Sequence, residues 1–201
     1  MSSITHVFFD IGGVLGSNGW DREQRARAIA HFGLDPEFEA RHDEIVGDWE
    51  IGRLSLEEYL DSAVFFEPRA FTRKEFTDFM LAQSVPFADS LALAKQVARR
   101  GAARLFTLNN EADELNRHRI EEFGLRAIFE GFLSSCWLGL RKPSRTMLLR
   151  ASLIAGAEPA SILFVDDREQ NIVPARALGW ATHRYTGAAG LETALRERGL
   201  L

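Results

Sequence analysis

The fold is decided by SILFVDD at residues 161–167, an apolar, strand-forming run that stops at two adjacent aspartates. The pattern occurs twice more, as VFFD at residues 7–10 before a glycine pair and as ARLFTLNN at residues 103–110. Short apolar runs bounded by turn-forming residues are typical of buried strands. Helical patterns follow two of the runs, at residues 111–123 and 172–178, and Pro174 places the start of the second helix near residues 171–173. Alternating strands and helices predict an α/β fold, a Rossmann-like parallel sheet with helices on both faces.

Residues 17–86, which come straight after the first predicted strand, have a helical pattern throughout. It is interrupted at residues 33–36, 52–55 and 67–69, and Ser55 with Glu58 has the spacing of a helix capping box. Nothing in this stretch has the pattern of a strand. The sequence therefore predicts an α/β core of residues 1–16 and 87–201, with a small helical cap of residues 17–86 inserted after the first strand.

The composition is that of an ordinary globular protein. The chain has 201 residues, of which 46% are hydrophobic and 26% charged, and this excludes disordered and collagen-like classes. A net charge of −5 with scattered basic residues predicts no nucleic-acid partner. No apolar run reaches the roughly 18 residues of a membrane span, so we expect no membrane partner. A single cysteine, Cys136, excludes an internal disulfide and favours a cytoplasmic location; we expect it on a strand as an inert thiol.

Polar side chains mark the ends of the three predicted strands. They are Asp10, Asn109, Asn110, Asp166 and Asp167. Each residue alone is common in turns, but ligands of parallel α/β sheets bind at the carboxyl ends of the strands. Carboxylates gathered there would repel one another unless a cation lay between them, and Mg²⁺ is bound by one or two carboxylates together with water and substrate phosphate. An aspartate beside such a metal can act as a nucleophile, and Lys142 could neutralise a phosphoryl group, so the residues predict metal-assisted phosphoryl transfer.

These stretches together resemble the haloacid dehalogenase-like (HAD) hydrolase superfamily over essentially the whole chain. The motifs that carry the resemblance are VFFDIGGVL at residues 7–15, LGLRKP at residues 138–143 and FVDDREQNI at residues 164–172. WEIGRLS at residues 49–55 is similar to the cap segment of the sugar-phosphatase and epoxide-hydrolase N-terminal-domain relatives. The resemblance implies a Mg²⁺-dependent phosphatase that hydrolyses a small phosphorylated metabolite, with sugar phosphates among the candidates, through an aspartyl-phosphate.

The resemblance also implies a role for each motif residue. Asp10 is the expected nucleophile and a metal ligand, and Lys142 is expected to hold the nucleophile and the phosphoryl group together. The backbone carbonyl of Gly12 and the carboxylates of Asp166 and Asp167 are expected to complete the Mg²⁺ site. The cap would close over this site, exclude water and select the substrate.

Gly12 departs from the family pattern. Most phosphatases of the superfamily have a second aspartate there, which acts as general acid, and a glycine has no side chain to donate a proton. Water, the substrate itself or a cap residue could replace it, and Glu50 and Arg53 are the cap residues to examine. Two alternatives stay open: a metal-independent haloacid dehalogenase, which the intact Asp166-Asp167 pair disfavours, and a non-catalytic phosphate-binding or regulatory protein.

A second departure concerns the residue that contacts phosphate, which is usually Ser or Thr in the superfamily. Thr107 has the right chemistry but lies inside the apolar run, whereas Asn109 lies at its end and is followed by Asn110. An amide can donate a hydrogen bond to a phosphate oxygen, so we expect Asn109 rather than Thr107 to make this contact, with Asn110 beside it.

Overall fold

The structure is a computed structural model, and it describes residues 3–201. Its core is a five-stranded parallel sheet in the order β3-β2-β1-β4-β5. The strands are β1 (His6–Phe9), β2 (Arg104–Asn109), β3 (Gly131–Ser134), β4 (Ile162–Asp166) and β5 (Ala181–Arg184). The three predicted strands are the three central ones, and Phe9 of β1 lies in register with Thr107 of β2 and Val165 of β4. Their carboxyl ends therefore meet at one edge of the sheet.

Helices cover both faces of this sheet, as predicted. Because side chains alternate along a strand, Val7 and Phe9 pack on one face against α5 (Ala88–Arg100) and α10 (Ala188–Glu197). Phe8 packs on the other face, against α8 (Arg145–Ala155) and α9 (Glu169–Ala177). The remaining helices that follow β1 are α1 (Arg22–Phe32), α2 (Phe38–Glu50), α3 (Leu56–Ala63), α4 (Arg73–Ala82), α6 (Asp113–Glu122) and α7 (Ser135–Leu138). The fold is α/β with a Rossmann-like parallel sheet.

Helices α1 to α4 form an insertion between β1 and α5, and their apolar cluster also includes Ala112 and Leu115 of the core. Aromatic residues dominate this cluster, among them Trp49 and Tyr59, whose rings stack 3.9 Å apart. Capping boxes begin α3 at Ser55 and α4 at Thr72. Residues 17–86, all described, contain no strand, although Pro86 forms an isolated bridge with Gly16. The helical character of this segment is as predicted, whereas its division from the core as a cap stays a prediction.

Two local predictions were wrong. Helix α9 begins at Glu169, so that Pro174 is inside the helix rather than in its first turn. The burial of Ile172 and Ala175 in the core supports the helix where proline removes a hydrogen bond. Cys136 lies in the short helix α7 rather than on a strand, because β3 ends just before it. Burial raises the pKa of its thiol to about 12, which keeps the thiol protonated and unreactive.

Within residues 3–201, none of the helices has both the length and the apolar character needed to cross a lipid bilayer.

Candidate active site

Three carboxylates and one ammonium group meet at the carboxyl edge of the sheet. Asp10 directly follows β1, and Asp166 and Asp167 lie at the end of β4; one oxygen of each lies within 4.8 Å of the others. The Nζ atom of Lys142, from the loop before α8, is 2.9 Å from Asp10 Oδ2 and 2.6 Å from Asp166 Oδ2. The structure thus brings together the four charged residues that the sequence placed in one site.

Hydrogen bonds fix the orientation of the two inner carboxylates. The side-chain amide of Asn171 donates to both oxygens of Asp166 at 3.0 Å, and the Arg168 backbone N–H donates to Oδ1 at 2.8 Å. The Ile11 backbone N–H donates to Asp10 Oδ1, so that Oδ2 is the oxygen beside Lys142. Sequence reasoning assigned no role to Asn171, although it lies inside the last motif beside the buried Ile172.

Burial and mutual repulsion dominate the electrostatics of this cluster. Burial raises the pKa of Asp10 to about 8, against the opposing pull of the Lys142 ammonium. Burial also raises the pKa of Asp167, and the charge of Asp166 adds to the effect. Burial pulls the pKa of Lys142 down, but the two carboxylates that it contacts hold it above its usual value. Three acids with one ammonium leave an excess of negative charge when all are ionised.

This donor set fits a divalent metal ion. All of the side-chain donors are oxygens, which Mg²⁺ prefers, and Asp167 Oδ1 is buried without a hydrogen-bond partner among the described residues. Gly13 keeps this space open: its φ is +73°, and a Cβ there would lie 2.5 Å from Asp167 Oδ2. Gly12 lines a cleft at this edge of the sheet, and ligation of Mg²⁺ by its backbone carbonyl stays a prediction.

The structure does not bring Asn109 into the cleft. Strand β2 extends through this residue, and its buried amide donates to Asn116 Oδ1 at 3.1 Å and accepts from Ser134 Oγ at 3.0 Å. The Asn109 side chain is thus held within the sheet, and its expected contact with phosphate stays a prediction. Thr107 is also buried within β2. Asn110 does line the cleft, but its amide makes two hydrogen bonds with the Lys142 backbone, so it positions the lysine loop.

The arrangement of these motifs agrees with a direct family match. The model of the haloacid dehalogenase-like hydrolases matches residues 4–179. The chain belongs to this family. The match confirms the resemblance inferred from the sequence and the expected hydrolase class of enzyme.

Individual relatives of this HAD hydrolase are distant. A phosphoglycolate phosphatase from Thiobacillus denitrificans is 29% identical over 119 residues, which are 59% of this chain and about half, 52%, of that relative. A HAD-like family hydrolase from Porphyromonas gingivalis superimposes with a TM-score of 0.78 at 24% identity, over 97% of this chain and 99% of the other. A HAD family enzyme from Bacteroides thetaiotaomicron, solved with magnesium and inorganic phosphate, gives 0.77 at 23% identity, over 90% and 93%. The two structures show the shared fold.

A cleft of about 600 Å³ lies between the core and the helical insertion, and Asp10 and Lys142 of the charged cluster line it. The insertion contributes Trp20, His42 and Glu50 to its walls. Glu50 is paired with Arg141 of the core at 2.9 Å, whereas Arg53 pairs with Asp48 at the surface. Of the two residues singled out from the sequence, Glu50 therefore lies at the cleft and Arg53 does not.

Buried hydrogen bonds link Trp20, Tyr59 and His42, and burial keeps His42 uncharged. The hydroxyl of Tyr59 accepts a hydrogen bond from the Trp20 indole N–H at 2.8 Å and lies 2.9 Å from His42 Nδ1, to which it can donate. Burial, helped by the charge of Arg25, lowers the pKa of His42 to about 3. The imidazole is therefore neutral.

Sequence reasoning missed one ion pair in the cleft. Glu111, in the turn after β2, lies 2.9 Å from Arg119 of α6, and both side chains are buried where they line the cleft. Arg119 also donates to the Ser17 carbonyl and to Ser84, which are in the two linkers to the insertion. The sequence does contain a signal for the burial of Arg119: it comes four residues after Leu115 and so lies on the buried face of α6.

Proposed function

We propose that this HAD hydrolase is a Mg²⁺-dependent phosphatase that hydrolyses a small phosphorylated metabolite through an aspartyl-phosphate on Asp10. The observation that carries the proposal is the ammonium of Lys142 between Asp10 and Asp166, beside the unpaired buried oxygen of Asp167. This arrangement offers a nucleophile, a countercharge for phosphate and a set of metal-binding oxygens at one point. The phosphatase relative and the neighbour solved with magnesium and phosphate support the same assignment.

The proposed reaction has two displacements. A carboxylate oxygen of Asp10 attacks phosphorus, and the bond to the leaving oxygen breaks with its electron pair going to that oxygen, which takes up a proton. Water then attacks phosphorus, gives up a proton and releases inorganic phosphate and the Asp10 carboxylate. Lys142 stabilises the negative charge of the phosphoryl group throughout. Mg²⁺ held by Asp10, Asp166 and Asp167 would neutralise further phosphate charge when bound.

In this proposal residues 17–86 are the cap. The α2 residues His42 and Glu50 line the same cleft as Asp10 and Lys142, and the part of the substrate remote from phosphate would lie beside them. The cationic cleft side chains of Arg25, Arg141 and Arg168 are each paired with an acid, at 2.8 Å, 2.9 Å and 2.5 Å. A polar substrate with few charges beyond its phosphate suits such a cleft, and this is consistent with sugar phosphates.

Hydrolysis of p-nitrophenyl phosphate tests the function, because its good leaving group needs little help from a general acid. We expect turnover that requires Mg²⁺, stops on chelation with EDTA and is abolished in Asp10→Asn. Asp48→Asn, a matched change at an exposed residue of α2, should retain full activity. Turnover that is unaffected by EDTA or by Asp10→Asn would contradict the proposal. Phosphate binding without turnover would favour the non-catalytic alternative, and metal-free release of halide from a haloacid would favour the dehalogenase.

A further inference from the structure

The space beside Gly12 is filled by side chains from elsewhere in the chain. A Cβ on Gly12 would lie 3.2 Å from Asn18 Oδ1 and 3.5 Å from Arg119 Nη1. The same Nη1 lies 2.9 Å from Glu111 Oε2. The Glu111 carboxyl is therefore one contact away from this position, with the Arg119 guanidinium between the two.

Glu111 is a buried acid that the proposed reaction does not yet use. It lines the cleft with only 7% of its surface exposed, and its backbone N–H is held by Ser135 Oγ at 2.9 Å. Burial raises the pKa of Glu111 to about 7 against the pull of Arg119, and the charge of Glu50 adds to the rise. The charged groups that act on it are Arg119 of α6, Glu50 of α2 and Asp21 at the start of α1. A carboxyl in this state exchanges protons readily at neutral pH.

We propose that Glu111 donates the proton to the leaving-group oxygen, an assignment that rests on the phosphatase function proposed above. The O–H bond of the Glu111 carboxyl breaks as an O–H bond forms on the leaving oxygen. The phosphorus–oxygen bond breaks at the same time, and its electron pair stays on that oxygen. The resulting carboxylate is stabilised by the adjacent Arg119 guanidinium. In the second displacement the carboxylate takes a proton from the attacking water, which restores the acid.

His42, another titratable residue of the cleft, is a poorer donor. Its Nδ1 faces the Tyr59 hydroxyl, and its ring is held neutral. A neutral imidazole gives up its remaining proton far less readily than a carboxyl does, so His42 can donate a hydrogen bond to substrate but not readily transfer the proton.

The test compares kcat/KM for the 4-nitrophenyl, phenyl and 4-methoxyphenyl esters of phosphate, which are similar in shape but have increasingly basic leaving groups. Glu111→Gln should lower kcat/KM for the two poorer leaving groups by about 10²-fold or more, and for the nitrophenyl ester by less than about tenfold. Glu50→Gln, a matched change at the partly buried glutamate of the cleft, should alter kcat/KM for all three substrates by a similar factor. Equal losses on all three esters in Glu111→Gln would overturn the assignment.

A second variant and the wild-type enzyme keep the test decisive if Glu111→Gln fails to fold. Glu111→Asp keeps both an acid and a charge near Arg119, and it should recover part of the loss on the poorer leaving groups. If neither variant folds, kcat/KM of the wild type for the three esters decides. A shallow dependence of kcat/KM on leaving-group basicity supports protonation by an acid, and a steep dependence overturns the assignment. Loss of the phosphatase function is seen separately, as absent Mg²⁺-dependent nitrophenyl turnover in the wild type, and the Glu111 assignment then falls with it.

Discussion

Removing the charge of Asp167 should stabilise the metal-free protein. Oxygens of Asp10, Asp166 and Asp167 lie within 4.8 Å of one another. At that separation two unit charges repel by about 1 kcal/mol in water and by about 3 kcal/mol at an effective dielectric constant of about 20. The Lys142 ammonium contacts Asp10 and Asp166 and offsets their charges most directly. We therefore expect Asp167→Asn to raise the free energy of unfolding by about 1–3 kcal/mol when metal is chelated.

The same substitution should weaken the response to magnesium. A ligand at a hundred times its Kd stabilises the folded state by about 2.7 kcal/mol, which for a chain of this size raises Tm by about 5–10 °C. A tenfold loss of affinity on removal of one carboxylate subtracts about 1.4 kcal/mol. At the same Mg²⁺ concentration, Asp167→Asn should therefore show about half of the wild-type shift. The stability that Asp167→Asn gains over the wild type without metal therefore shrinks by about 1.4 kcal/mol when Mg²⁺ is added.

Thermal unfolding over a Mg²⁺ titration measures both effects. NaCl at matched ionic strength controls for general screening, and Asp48→Asn controls for the loss of an exposed carboxylate. The reasoning is refuted if Asp167→Asn is less stable than the wild type in chelator, or if its Mg²⁺-induced shift equals that of the wild type. Either result would mean that the cation does not neutralise the repulsion within this cluster.

Three further predictions follow from the buried polar contacts. Lys142→Met should lower the free energy of unfolding by about 3–5 kcal/mol in chelator, because two buried carboxylates lose their countercharge, and unchanged urea unfolding would contradict this. Tyr59→Phe should lower the free energy of unfolding by about 2–4 kcal/mol, since two buried partners lose a hydrogen bond. Tyr185→Phe, which loses one half-buried hydrogen bond, should lower it by about 1 kcal/mol. Equal losses for the two variants in urea unfolding would contradict the hydrogen bonds that link Trp20, Tyr59 and His42. His42 should lower stability as the pH drops from 6.5 towards 3, because the unfolded chain protonates it below about 6.5 while its folded pKa is about 3; the raised pKa values of Asp10 and Glu111 act in the opposite direction. The loss from this residue is about 2 kcal/mol at pH 5, so in urea unfolding the wild type should lose about that much stability relative to His42→Gln as the pH falls to 5, but not relative to the exposed-residue control His31→Gln.

The centre of the sheet could be predicted from the sequence, and its edges could not. Strands β1, β2 and β4 are covered on both faces, so each is a nearly continuous apolar run that stands out from its surroundings. Strands β3 and β5 have four residues each, and β5 is only partly buried, so neither carries such a run. Their existence follows from pairing with a neighbouring strand, which the local pattern does not encode.

The candidate site divides in the same way. Asp10, Asp166 and Asp167 could be predicted because each follows a recognisable strand, and parallel strands bring their ends together. The position of Asn109 could not, because whether a side chain at a strand end turns to the cleft or to the sheet depends on its neighbours across the sheet. The ion pair of Glu111 with Arg119 is a tertiary contact whose burial depends on the linkers of the insertion.

Those linkers have an evolutionary consequence. The insertion leaves and rejoins the core at adjacent points, where Gly16 bridges to Pro86 and Ser17 Oγ binds both Gln83 and Val85. A segment whose ends are already joined in this way can be exchanged as a cassette without stretching the strands beneath it. A different insertion of similar end-to-end spacing could then be grafted onto the same core with the carboxylate cluster at the sheet edge left in place.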